Sequence, residues 1–155
     1  MIELRDLQPD DLAEVSALGI RSKASWGYGA DEMEIFSGEL TLDDSSLAEC
    51  PTAKVAIRDE QIVGHYTLRR HANAGVELEH MFVDPDHFRH GIGRQLFASA
   101  LETARAAGAE ELMLISDPNA GGFYENQGAR ITGEHHSSIP GRTIPIMTIG
   151  LRTQG

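Results

Sequence analysis

Arg89, His90, Gly91, Ile92, Gly93 and Arg94 are consecutive, between a segment that reads as a strand and one that reads as a helix. Small residues and cations at such a junction suit the binding of phosphate. The first backbone N–H groups of a helix lack partners within it and point outward, and the helix dipole adds about half a positive charge there. A phosphate fits that position without a metal. Gly91 and Gly93 let the backbone curl and approach it closely. Arg89 and Arg94 can add charge-assisted hydrogen bonds, and His90 can join them when protonated. The two glycines alone would serve a ligand-free turn equally well. Two other phosphate motifs fit worse. Leu96 stands where the fingerprint G-x-G-x-x-G has its third glycine, and the chain has no G-x-x-x-x-G-K-[ST] loop.

The elements that must position this junction follow from periodicity. Residues 2–6 alternate as a strand. A helix is expected from Pro9 to about Lys23, with Leu12, Val15, Leu18 and Ile20 on its apolar side, and a second over residues 30–40. Lys54–Arg58 and Ile62–Arg70 form a hairpin around residues 59–61, and Asn73, Ala74 and Gly75 turn the chain into a strand over Val76–Val83. Simple alternation there puts Glu77, Glu79, Met81 and Val83 on one face and Leu78, His80 and Phe82 on the other. From Ile92 the spacing becomes helical, through Leu96, Ala100, Leu101 and Ala104, until Gly108. The apolar run Leu112–Ser116 reads as a strand buried on both faces. A short helix over Pro118–Gln127 and strands at Ile131–His136 and Ile144–Leu151 complete an α/β (α+β) mixed sheet.

The 155 residues, 41% hydrophobic, suit a single domain over 1–155 with one real core. The formal net charge of −11 argues against a nucleic-acid binder, which would carry a basic face, and is compatible with a cationic small substrate. Charges in MIELRDLQPDD stand where a signal peptide has its apolar core, no run approaches a membrane span, and Cys50 is the only cysteine. No membrane partner and a cytoplasmic location are therefore expected. The seven histidines show no H-E-x-x-H or Cys/His framework, so no metal is expected, and no G-x-S-x-G points to a serine hydrolase.

EHMFVDPDHFRHGIGRQLF resembles the acyl-CoA signature of the GNAT superfamily of N-acyltransferases, a strand followed by Q/R-x-x-G-x-G/A and a helix. Gly91 and Gly93 match its small positions, while Phe88 replaces the usual Gln or Arg, a contact that Arg89 could supply instead. DPNAGGFYENQGA is similar to the superfamily's later motif at Asn119, Phe123, Tyr124, Gly128 and Ala129, and the hairpin carries Gly64 where the family often has glycine. The match is good over residues 53–129. It implies a central, mostly antiparallel sheet of about seven strands flanked by about four helices. It further implies transfer of an acetyl group from acetyl-CoA to an amine in a ternary complex, the acceptor being a small molecule or peptide, with room for a homodimer.

The resemblance also implies roles. Glu79 lies in the strand the family uses for its base, with His80 as rival, and Tyr124 matches the position of the acid that protonates the leaving thiolate. Coenzyme A is expected along Met81, Phe82 and Val83, where a backbone N–H of Phe82 or Val83 would hold the oxyanion. Its diphosphate belongs at Phe88 to Arg94 and its pantetheine arm at Asn119 and Phe123. Trp26, Tyr28 and Glu77 are candidates for the acceptor pocket; Ser138 and Arg142 in SSIPGRT could reach the same cleft, but a solvated loop is the commoner reading. A CoA-binding sensor or partner domain without transferase activity would use the same cradle, as would a domain binding another nucleotide.

Overall fold

A computed structural model of the chain describes residues 2–50, 52–71 and 75–151. Seven strands form one sheet: β1 Glu3–Asp6, β2 Thr52–Arg58, β3 Gln61–Arg70, β4 Val76–Val83, β5 Glu111–Ile115, β6 Arg130–His136 and β7 Thr143–Gly150. Their order is β1-β2-β3-β4-β5-β7-β6. Every neighbouring pair is antiparallel except β4–β5. Five helices accompany it: α1 Leu12–Ala24, α2 Ala30–Leu40, α3 Asp44–Glu49, α4 Ile92–Ala106 and α5 Gly121–Asn126. The sequence leads to four of these. The fifth, α3, is one short turn without a buried residue, started by Asp43, whose carboxylate accepts the Ser46 N–H at 3.1 Å. Such a cap carries no apolar periodicity. The helix expected from Pro9 begins instead as a 3-10 turn, Pro9–Asp11.

The elements form for local reasons. Arg58 pairs with Gln61 across Asp59 and Glu60, whose φ values of +50° and +67° make the mirror-image turn that matches strand twist. Of the turn expected at Asn73, Ala74 and Gly75, the first two lie outside the described residues. In α4, Ile92, Leu96, Phe97, Ala100 and Ala104 form the buried stripe. Each large side chain there contributes roughly 1.5–3 kcal/mol. Gly64 fixes where α4 sits. A Cβ at that position would lie 2.9 Å from Leu96 Cδ1 and 3.0 Å from the Phe82 carbonyl oxygen, so the first turn of α4 rests directly on β3.

The core divides into two clusters. One joins α4, α5 and the sheet through Phe97, Tyr66, Leu112 and Met147. The other joins α1 to β2 and β3 through Val15, Leu18, Val55 and Ile62. β4 changes allegiance along its length. Its register with β3 passes from His80↔Thr67 to Leu78↔Leu68, leaving Glu79 as a bulge. The expected alternation therefore fails. Val76, Leu78, Met81 and Val83 pack toward α4, while Phe82 packs toward α1 and stacks with His65 at 5.9 Å. One extra residue reverses the faces on either side of it. β5 also departs from expectation, since Leu112 and Leu114 are buried but Met113 and Ile115 only half so.

Candidate active site

β4 and β5 pair only at Val76↔Leu112, Glu77↔Met113 and Leu78↔Leu114. Beyond these they part, and the space between them is a cleft of about 870 Å³. The far half of β4, from Glu79 to Val83, borders it with no strand paired on that side. Asp117 and α5 form the opposite wall.

The basic junction lies at the cleft's mouth. Asp84 ends β4 by accepting the Asp86 N–H at 3.0 Å and pairing with Arg21 at 2.9 Å. After a 3-10 turn, Pro85–His87, Arg89 and Gly91 both adopt left-handed backbone, at φ +69° and +78°. For Arg89 this conformation is a strained one. At Gly91 a Cβ would meet nothing within 4 Å, so the position demands glycine for its φ rather than for room. The Gln95 N–H donates to the Gly91 carbonyl at 3.1 Å. The N–H groups of Ile92, Gly93 and Arg94 precede it and, by position, have no acceptor within the helix. Every residue expected at the coenzyme end borders the cleft except His90, whose place His87 takes. Phe88 stacks on Trp26 with ring centres 6.4 Å apart.

Tyr124 stands deeper, packed edge-on against Phe97 and Phe123 at 5.4 and 5.2 Å. It is buried, and burial raises its phenol well above the ordinary value of 10. Its hydroxyl has no hydrogen-bond partner among the described residues and faces the cleft. Across from it, the bulge turns both Glu79 and His80 to the cleft, which removes the expected opposition of their faces. Glu79 is firmly held. Its Oε2 lies 2.8 Å from Arg69 Nε and accepts the Cys50 thiol at 3.0 Å, and its Oε1 accepts from Arg69 at 3.2 Å. Desolvation, reinforced by that carboxylate, pushes the Cys50 thiol up to about 12. Desolvation also lowers His80, against the pull of Glu79 and Glu77, so its ring is neutral near pH 7.

The acceptor end differs from the sequence reading. Trp26 borders the cleft. Tyr28 stands behind the wall, its hydroxyl donating to Asp117 Oδ2 at 2.7 Å and accepting from Arg142 at 3.0 Å. Glu77 is turned away and pairs with His71 at 2.8 Å; it borders no part of the cleft. The bulge at Glu79 breaks the alternation that would have aligned the two glutamates. Arg142 and Ser138, read as solvated loop, both border the cleft. Sequence reasoning missed Lys23, Phe36 and Asp117. Lys23 pairs with Asp117 at 2.5 Å, both side chains nearly buried, and its ammonium stands 4.4 Å from the centre of the Phe36 ring. Desolvation would raise Asp117, but Lys23, the Asn119 N–H and Tyr28 together hold it below the ordinary value. Asn119 spends its amide on Asp117 at 2.8 Å and Tyr28 at 3.3 Å. The one signal in the sequence was the polar turn SDPN directly after an apolar strand.

Among the described residues no group of three or more His, Cys, Asp or Glu side chains could hold a metal ion, and no helix is long and apolar enough to cross a membrane. Comparison with known proteins agrees with this geometry. The family described as Acetyltransferase (GNAT) domain matches residues 40–138. Human N-acetyltransferase 8 is 30% identical over 77 residues, which span 48% of this chain and 34% of that protein, so only about a third of the relative is matched. The PaiA N-acetyltransferase of Thermoplasma acidophilum, solved in complex with coenzyme A, superposes with a TM-score of 0.80 at 20% identity, covering 97% of this chain and 99% of its own. An acetyltransferase of the GNAT family from Staphylococcus aureus Mu50 superposes at 0.77, with 19% identity and 98% and 100% coverage.

Proposed function

The chain belongs to the GNAT acetyltransferase family, and from that premise we propose that it moves an acetyl group from acetyl-CoA to an amine by direct attack in a ternary complex. The observation that carries this reading is the placement of Tyr124. A phenol kept protonated by burial, free of any hydrogen-bond partner among the described residues, faces the cleft between β4 and β5.

Acetyl-CoA, when bound, supplies a thioester carbonyl activated toward nucleophiles. The residues present fit it. The left-handed turn at Arg89 and Gly91 and the free N–H groups of Ile92, Gly93 and Arg94 would hold the diphosphate, while the unpaired edge of β4 would hold the pantetheine arm. On that edge a backbone N–H at Phe82 or Val83 meets the negative charge that develops on the carbonyl oxygen. Glu79 receives a proton that the acceptor ammonium must lose before its nitrogen can attack, directly or through a water. Carboxylates titrate about six units below alkylammonium ions, so the site must favour the transfer by excluding solvent. Neutral His80 stands beside Glu79 as a second acceptor. Tyr124 donates its hydroxyl proton to the departing sulfur. One N–C bond forms and one C–S bond breaks; nitrogen gives up two protons on its way to the amide, one to Glu79 and so to solvent, the other returning through water to Tyr124 after it has protonated the sulfur.

Thiol release from acetyl-CoA, measured with a mixed panel of amines, tests the reading. Turnover above solvent hydrolysis, lost about 100-fold in Tyr124→Phe, is the expected result. Saturable coenzyme A binding without turnover on any amine would instead make the chain a sensor or partner domain. A thermal shift with NAD or ATP but none with coenzyme A would end the reading altogether.

A further inference from the structure

Arg142 brings a guanidinium to the end of the cleft where we propose the acceptor binds, and among the described residues it has no counter-ion. Among the described residues its Nε donates to the Ser137 hydroxyl at 3.1 Å and its Nη1 to the Tyr28 hydroxyl at 3.0 Å; no carboxylate pairs with it. Both partners are neutral, and they fix the planar group without neutralising it. Its Cζ lies 5.6 Å from the centre of the Phe36 ring, on which the Lys23 ammonium also stands at 4.4 Å. Two cations thus lie beside one aromatic ring, and Asp117 pairs directly with Lys23. Among the described residues this corner of the cleft thus holds one guanidinium with no direct carboxylate partner, joined to Asp117 only through the Tyr28 hydroxyl. The other carboxylates that border the cleft stand elsewhere, Glu39 on α2 and Glu79, held by Arg69, on β4.

We infer that the acceptor is an amine that also carries a carboxylate, its carboxylate paired with Arg142 and its amine turned toward Glu79. A half-buried guanidinium with unspent donors is built for planar bidentate contact with a carboxylate. Glu79 on the β4 wall stands ready to receive the amine end of such a zwitterion. The acceptor's carboxylate takes no part in bond making; it sets where the amine lies. Arg142 is accordingly a specificity-determining residue. The inference rests on the transferase reading above, and deepens it by naming the substrate class.

The test pairs the proteinogenic α-amino acids, β-alanine and 4-aminobutanoate with their carboxamides. With acetyl-CoA, at least one acid is expected to exceed its amide in kcat/KM by about ten-fold or more, as a charge-assisted contact implies. Arg142→Gln brings that ratio close to one by raising KM for the acid, and Arg142→Lys, which keeps the charge and loses the fork, restores part of it. Coenzyme A affinity and the melting midpoint report whether each variant is folded. Equal use of acid and amide by the wild type, or equal losses on both in Arg142→Gln, overturns the inference while leaving the transferase reading intact. If no amine is turned over, titration of the coenzyme A-loaded protein with N-acetyl amino acids and their amides still decides. Preference for the acids upholds the anion site, and absent or equal binding overturns it.

Discussion

The two ends of the cleft are built from different materials. At the end where we propose that coenzyme A binds, the groups on offer are backbone: the left-handed turn at Arg89 and Gly91, the first N–H groups of α4, and the bare edge of β4. At the acceptor end they are side chains from four separate parts of the chain, with Lys23 from α1, Phe36 from α2, Asp117 after β5 and Arg142 before β7. A backbone site is dictated by a few neighbouring residues and shows as a motif. A side-chain site assembled from distant segments leaves no spacing to read. The contrast also separates what the two ends can tolerate. The first depends on φ, the second on charge balance.

Four substitutions can break or sharpen that contrast, from the largest effect to the smallest. Asp117→Asn strands the nearly buried Lys23 and is expected to cost about 3 kcal/mol of stability, while coenzyme A affinity of the folded protein holds. Because Asp117 is held below the ordinary carboxylate value, its contribution is complete above about pH 5 and disappears as pH falls through its lowered folded value. The melting difference between wild type and variant should therefore close on acidification. Widening would contradict the pairing. Tyr124→Phe, midway between the ends, lowers kcat about 100-fold. Since its hydroxyl has no partner among the described residues, the melting midpoint should move by no more than about 2 °C. A large drop would show that the phenol is structural.

Gly91→Val attacks the coenzyme end through backbone conformation. A β-branched residue at φ +78° is strained, and coenzyme A affinity should fall about ten-fold, roughly 1.4 kcal/mol, with acceptor preference unchanged. A shift in acceptor preference would erase the separation of the two ends. Phe88→Gln, which restores the residue more usual at that position, has the smallest expected effect, under about three-fold on coenzyme A affinity, because the neighbouring amides stay in place. Trp26 is the only tryptophan and stacks on Phe88, so its fluorescence can follow both titrations.

Much of the fold was legible. The switch from period two to period 3.6 at Ile92 located the β4–α4 junction, and α2 was expected where it lies, over Ala30–Leu40. Gly91 and Gly93 pointed to the left-handed turn at the mouth of the cleft, where we propose the coenzyme binds. What escaped were features that periodicity cannot carry. The bulge at Glu79 reverses the faces of β4. It took Glu77 out of the cleft and brought Glu79 and His80 in together. The hold of Arg69 and Cys50 on Glu79 spans three segments, and so does the network around Asp117. Arg142 was discounted because it sits in a Pro- and Gly-containing turn, and only the folded chain shows that turn leaning over the cleft.

The sheet has a seam. Among the described residues only three backbone pairings, at Val76, Glu77 and Leu78, join β4 to β5 within the sheet, and side-chain packing around α4 does the rest. Whatever lies along the gap replaces the missing rungs and braces one side of the protein against the other. Deuterium uptake at the amides of both bordering strands should slow when the coenzyme binds, well beyond the residues it touches. If the proposed ligand lies in this opening, slowed exchange on both strands would mark the opening as the joint that it stiffens.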